Sequence, residues 1–530
     1  MSLIESLRDG KSGVIRNALL LGFVFCLAWG NPLGAQETLI QGLEKITQSP
    51  RFKHAHWGAL FVDRETGQVV FEHNTDKLFI PASTTKLYSV ATALKEFGAE
   101  YRFRTPVVRR GDVSPEGVLE GDLILVASGD LSFGGRTSPE GTLAFADGDH
   151  TYANGNPDAE LTAPDPLAGI QELAEQIAKS GIRRVRGDVL IDDRLFEKAE
   201  SSGSGPSQVT PVLINDNLID FQFKPTQPGL PAELVVRPAT SAFQVESKVL
   251  TVGSDQSPEI EIRDLGSGRF SITGQVPAGH TPVLRVHEVA DAASLARTVL
   301  IEALLRKGIQ ADAPTLAEAQ KDRLPRVDEV KTLPKVAELT SLPFSESIKL
   351  ILKVSHNLHA STLPLLVAAN HGETTLAAGL KRQHDFLKEA GVEVETISFA
   401  GGAGGTRSDY VTPRATVQLL RYMATRPDFP IYQAALPRLG VDGTLAKNIP
   451  PDSAVRDKVQ AKTGTLYTGN TMNGTTLMTS KALAGYMTTA KGKNLIFAMF
   501  VNNAHLRDGV TAKTFGDDLG KFCEAIYLKE

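Results

Sequence analysis

Hydrophobic and polar positions alternate along 54–70, HAHWGALFVDRETGQVV, on either side of a turn at 65–67. That alternation predicts a β-hairpin. Over 83–97, STTKLYSVATALKEF, apolar positions recur at helical spacing and predict a helix that opens at Ser83. Beyond Tyr101 the pattern shortens. GVLEGDLILVASGDLSF and GIRRVRGDVLIDDRLF read as short strands bounded by Gly and Asp, separated by the turn-rich TSPEGTLAFADGDHTYANGNPDAE. SSGSGPSQ at 201–208 has the composition of a flexible linker. A β-rich region follows, from LIDFQFKPTQPG to SITGQVPAGHTPVLRVHEV. Helical periodicity returns in AASLARTVLIEALLRKGI and in SESIKLILKVSHNLHASTLPLLVAAN. ALAGYMTTAKGKNLIFAMFVNN predicts two strands around a turn at 491–493, with a closing helix from about Thr511. The expected order is a helix-and-sheet unit at both ends of the chain with a long β-rich insertion between them.

At 530 residues, more than one domain and a sizeable core are expected. Hydrophobic content of 42% and charge of 22% are ordinary for a globular chain. A net charge of -5, with no run of Lys and Arg, gives no footprint for nucleic acid. Near the N-terminus, basic residues through Arg16 precede an apolar run over 18–29. That run is shorter than the ~20 residues a spanning helix needs. With PLGAQE after it, it reads as a secretory signal cut after Ala35, or failing that a retained anchor. Membrane contact is otherwise expected to be peripheral at most. Export to the periplasm or another envelope compartment removes Cys26, leaves Cys523 alone, and rules out an intramolecular disulfide. The expected division is a signal peptide over 1–35, a first catalytic part over 36–100, an insertion over about 101–330 made of one inserted domain nested in another, and a second catalytic part over 331–530.

Three short motifs carry chemistry. Residues three apart share a helix face, so Ser83 and Lys86 point together. A serine hydroxyl needs a base, and a lysine can serve only if burial or a nearby cation lowers its pKa. In KVSHNLHA, Ser355 can relay a proton and the Asn357 amide can hold a peptide carbonyl. In AKTGTL, Lys462 adds positive charge, the Thr463 hydroxyl can bind a carboxylate, and Gly464 lets an extended substrate approach the backbone. Each motif alone is weak. S-x-x-K, S-x-N and K-T-G in that order are together a strong signal, and the set resembles that of penicillin-recognising serine enzymes.

The chain further resembles the penicillin-binding protein 4 family, the class C low-molecular-mass D-alanyl-D-alanine carboxypeptidase/endopeptidases. The resemblance rests on IPASTTKL, LILVASGD, GIRRVRGDVLIDDRLF, PVLINDNLIDF, SHNLHA, GVDGTLAK, AKTGTL and ALAGYM, and on the long gap between Ser83 and Ser355. It covers the chain from about residue 38 to the end. It implies a mixed α/β fold of the β-lactamase/transpeptidase type, with a five-stranded antiparallel sheet, a helical lobe and a large β-rich insertion. It implies that Ser83 is acylated, Lys86 is its base, Ser355 relays the proton and Asn357 orients the substrate. Lys462 and Thr463 would bind the terminal carboxylate, and the N–H groups of Ser83 and Thr465 would form the oxyanion hole. Arg407 would help to bind a charged peptide end, and Asp192 and Phe196 would read the substrate's side chain. The implied partners are peptidoglycan and covalently bound β-lactams, and no metal or organic cofactor is implied. Departures from the family pattern are Gly401 and Ala403 in GGAGGTR, His356 within the second motif, and a long loop after KTGTL. They bear on substrate preference more than on acyl transfer.

Other patterns carry less. HAH at 54–56 and HNLH at 356–359 have metal-like spacing, but no nearby carboxylate or cysteine completes either, and both are expected to be structural. DGDHTYANGNPD lacks the glycine and the closing glutamate of a calcium loop. Cys523 is expected to be buried, and no G-x-S-x-G elbow is present. The competing functions are a β-lactamase or esterase on the same fold and a non-catalytic wall-binding scaffold. The complete set Ser83, Lys86, Ser355, Asn357 and Lys462 argues against the scaffold.

Overall fold

The computed structural model describes residues 43–506 and 509–530. The expected export signal and Cys26 lie outside them.

The two ends of the chain build one sheet. The hairpin of β1 (His56–Asp63) and β2 (Val69–His73) joins β3 (Val459–Asn470), β4 (Thr475–Thr488) and β5 (Asn494–Leu506) in the order β2-β1-β5-β4-β3. Every neighbouring pair is antiparallel. β1 and β5 run through the middle with Trp57 opposite Val501 and Phe61 opposite Phe497. Both strands are buried on both faces, so they read as near-continuous apolar runs rather than strict alternations.

On one face lie α1 (Lys86–Phe97), α2 (Phe344–Lys353), α3 (Asn357–Asn370) and α4 (Pro413–Ala424), sharing a core that includes Leu87, Leu94, Ile351, Leu363, Leu420 and Phe500. The other face is covered by α5 (Ala512–Lys529), which brings Phe515, Leu519, Phe522 and Ile526 against Trp57, Phe61 and Phe497. The Thr511 side chain caps α5 by accepting from the Thr514 N–H. Cys523 is buried as a free thiol.

The intervening chain has its own core. A mixed four-stranded sheet of Lys335–Thr340, Arg104–Arg110, Asp122–Val126 and Val189–Asp192 packs with the helices Ala168–Lys179 and Ala292–Arg306. Two three-stranded sheets follow, one around Leu218–Lys224 and one around Arg269–Pro277. Among the described residues no helix is long and apolar enough to cross a membrane.

Three expectations change. The single helical run over 345–370 is two helices, because Ser355 sits at φ 69, a left-handed conformation no α-helix accommodates. His356 then caps the second helix, its Nδ1 accepting from the His359 N–H at 3.3 Å. The linker at 201–208 is the tip of a small hairpin, Ala199–Glu200 pairing with Gln208–Val209. The long loop after Leu466 is largely strand, since β3 and β4 continue their pairing past an irregularity at Leu466/Tyr467 out to Asn470 and Thr475.

Candidate active site

Ser83 lies in a 3-10 turn, Ala82–Thr85, that runs straight into α1. Ala82 enters the turn at φ 47. Ser83 makes no capping bond, so its hydroxyl is free for other partners. Lys86 is fully buried one turn on, and its Nζ donates to Ser83 Oγ at 2.8 Å, Asn357 Oδ1 at 2.8 Å and the Ala403 carbonyl at 2.9 Å. Burial lowers its pKa to about 7, with Asp409 partly offsetting the shift.

The break between α2 and α3 delivers the second motif. Ser355 Oγ accepts from Lys462 Nζ at 2.9 Å, and the same amine donates to the Thr463 carbonyl at 2.7 Å. Lys462 is fully buried, and burial together with the charges of Lys86 and Lys481 drives its pKa far down. Thr463 Oγ1 donates to Thr444 Oγ1 at 2.7 Å. Gly464 sits where a Cβ would lie 2.6 Å from the Pro81 carbonyl, so glycine lets β3 pass against the Ser83 turn.

These groups open on a cavity of about 450 Å³ lined by Ser83, Ser355, Asn357, Ala403, Thr463 and Thr465. A larger groove of about 1090 Å³, against Trp57 and Phe522 on the α5 side of the sheet, holds none of them. The small cavity also takes Asp147, Tyr152 and Asn156 from the turn-rich loop, and Gly203 and Ser204 from the supposed linker. Tyr152 OH donates to the Ser355 carbonyl at 2.6 Å, and Asp147 Oδ1 accepts from the Gly443 N–H at 2.8 Å. The sequence reading met these residues only as a failed calcium loop and a linker, because nothing local assigns them to the site; they reach it through the tertiary fold.

Three candidates stand elsewhere. Phe196 is buried in the helical core, Asp192 is held by Arg194 through two bonds of 2.8 Å, and Arg407 is exposed. None of them lines the cavity.

The histidine pair needs correction. A carboxylate does approach both rings: Asp216 Oδ1 lies 2.7 Å from His359 Nε2 and 3.4 Å from His356 Nε2. It comes from the insertion, on a turn where Asn215, Asp216 and Asn217 all have positive φ. The geometry brings three buried potential metal ligands together. Each group also has other work. Asp216 Oδ2 is shared by Arg136 at 2.7 Å and His150 at 2.9 Å, and His356 Nδ1 caps α3. Burial disfavours a charge on His359, with His356 adding to the effect, and its pKa falls to about 4. Burial would do the same to His150, but Asp220 and Asp216 outweigh it and raise the pKa to about 10.

Residues 39–522 match the D-Ala-D-Ala carboxypeptidase 3 (S13) family. A D-alanyl-D-alanine carboxypeptidase of Actinomadura sp. (strain R39) is 26% identical over 496 residues, covering 89% of this chain and 82% of that protein. The carboxypeptidase DacB of Haemophilus influenzae is 23% identical, covering 87% of this chain and 88% of that one. The crystal structure of penicillin-binding protein 4 from Haemophilus influenzae has the same fold, with a TM-score of 0.67 at 20% identity over 90% of this chain and 98% of that one. That protein has also been solved with a β-lactam.

Proposed function

The chain belongs to the D-Ala-D-Ala carboxypeptidase 3 (S13) family, and within it we propose an exported serine D,D-peptidase that works through an acyl-enzyme on Ser83. Its substrates are peptidoglycan stem peptides ending in D-Ala-D-Ala and the D,D-cross-links between them. The observation that carries this reading is the Lys86 amine, fully buried and 2.8 Å from Ser83 Oγ.

Neutral Lys86 has two N–H donors and one lone pair. Asn357 Oδ1 and the Ala403 carbonyl take the donors, which leaves the lone pair aimed at the Ser83 hydroxyl. Lys86 takes the Ser83 proton as Oγ attacks the carbonyl carbon of the penultimate residue. The N–H groups of Ser83 and Thr465 stabilise the oxyanion. As the C–N bond breaks, the Ser355 hydroxyl gives its proton to the departing amine and regains one from the lysine pair. Water then attacks the ester, with Lys86 again as base. Asp147 is the carboxylate among the cavity-lining residues, and it favours a cationic side chain on the peptide. β-Lactams acylate the same serine.

Mass spectrometry of the mature protein tests the reading, with a penicillin and then with a fragment ending in D-Ala-D-Ala. A stable penicilloyl adduct on Ser83 and release of D-Ala are expected. Fast penicillin turnover with an untouched fragment points to a β-lactamase instead, and no adduct with no turnover points to a scaffold.

A further inference from the structure

Lys481 lies one strand behind the reacting groups. It sits on β4 directly opposite Thr465 of β3, and only 8% of it is exposed. Its Nζ donates to Thr465 Oγ1 at 2.9 Å. Asp517 is the acidic group that bears on it, and that carboxylate is already held by Lys513 at 2.8 and 2.9 Å. Among the described residues Lys481 forms no ion pair. A buried ammonium without a counter-charge is costly, and this one stands beside a cavity. Burial lowers its pKa to about 8, which keeps it mostly charged at neutral pH.

The direction of the hydrogen bond matters. A lysine ammonium only donates, so Thr465 Oγ1 accepts from it and the hydroxyl proton of Thr465 is turned elsewhere. No acceptor takes that proton among the described residues, and Thr465 lines the cavity. Thr463 on the same strand spends its proton on Thr444. A hydroxyl donor polarised by a cation behind it suits an anion, and a carboxylate above all.

Building on the peptidase reading above, we infer that Lys481, acting through Thr465, is a positioning residue that selects leaving groups with a free α-carboxylate over amidated ones. The test uses two synthetic peptides ending in D-Ala-D-Ala, one with a terminal carboxylate and one with a terminal carboxamide. The purified mature chain should prefer the acid by roughly tenfold or more in kcat/KM, as a charge-assisted hydrogen bond implies. Lys481→Gln and Thr465→Val should each lower the acid-to-amide ratio about tenfold, with the loss in KM for the acid. The double variant should be no less selective than either single one, and Lys481→Arg should keep part of the preference. A ratio unchanged in Lys481→Gln overturns the inference. So does one unchanged in Thr465→Val, which keeps the test open should Lys481→Gln misfold. A wild type that cleaves both peptides equally overturns it as well. A wild type that cleaves neither overturns the peptidase reading, and this inference falls with it.

Discussion

Lys86 holds three acceptors around one nitrogen, so its protonation state decides whether Ser83 meets a donor or a base. Burial brings its pKa to about 7, and burial together with the charges of Lys86 and Lys481 drives the Lys462 amine well below its usual value. The rate of penicillin acylation should therefore rise with pH, with a midpoint near 7, because the neutral amine is the form that accepts the proton. Stopped-flow labelling from pH 5 to 9 reads this directly, and a flat profile would remove Lys86 as the base. Ser83→Ala should lose adduct formation by roughly 10⁴-fold or more; persistent labelling would move the nucleophile elsewhere. At this scale the sequence was informative wherever the chemistry is local. Ser83 and Lys86 meet because they are one turn apart. Lys481 carried no signal and Asp147 only that of a failed calcium loop, since each gains its meaning from a partner on another segment, Thr465 for one and the Gly443 N–H for the other.

Short segments between the regular elements hold the reacting groups in register. Gly404 has φ +83, and a Cβ there would lie 2.0 Å from the Ala82 carbonyl on the turn that presents Ser83. Gly404→Ala should push the 401–405 loop away and pull the Ala403 carbonyl off Lys86. The expected costs are roughly 1–3 kcal/mol of stability from the strained backbone and roughly a hundredfold in acylation, as for ångström-scale misplacement. A thermal melt and a labelling time course check both, and labelling at the wild-type rate would show that the loop has no positioning role. Element-scale reading of the sequence worked for β1 and β2, which the turn at 65–67 separates, and for α1, whose apolar spacing is helical. It failed at the α2–α3 junction because KVSHN carries no Gly or Pro to announce the left-handed Ser355. It failed at 201–208 because a Gly/Ser tip looks the same in sequence whether it is free or pressed against Asn357, where the Gly203 backbone leaves no room for a Cβ.

Across the whole molecule, the intervening chain meets the start of α3 through a buried charge network as well as apolar packing. Arg136, Asp149, His150, Asp216 and Asp220 come from the insertion, while His356 and His359 flank Asn357. Asp216 lies at the centre, and Asp216→Asn should cost roughly 3–5 kcal/mol, because Arg136 loses one of its two carboxylates in a dry setting. The network also fixes how stability depends on pH. His150 is raised from an ordinary value near ~6.5 to about 10 in the fold. A raised group binds its proton more tightly when folded, so its contribution is complete below ~6.5 and is lost as pH climbs toward 10. His359 is depressed to about 4, so its contribution is complete above ~6.5 and fades as pH falls toward 4. The two histidines together favour neutrality, while Lys86 and Lys481, both lowered by burial, add stability as pH rises above 7, so the His150 share is read as a difference from its variant. The stability of the wild type relative to His150→Gln should fall over about pH 7 to 10, with the acid limb of His359 the same in both. Calorimetry of both proteins across that range decides the matter: a difference that does not change with pH would mean that His150 does not carry the charge that pairs with Asp216 and Asp220.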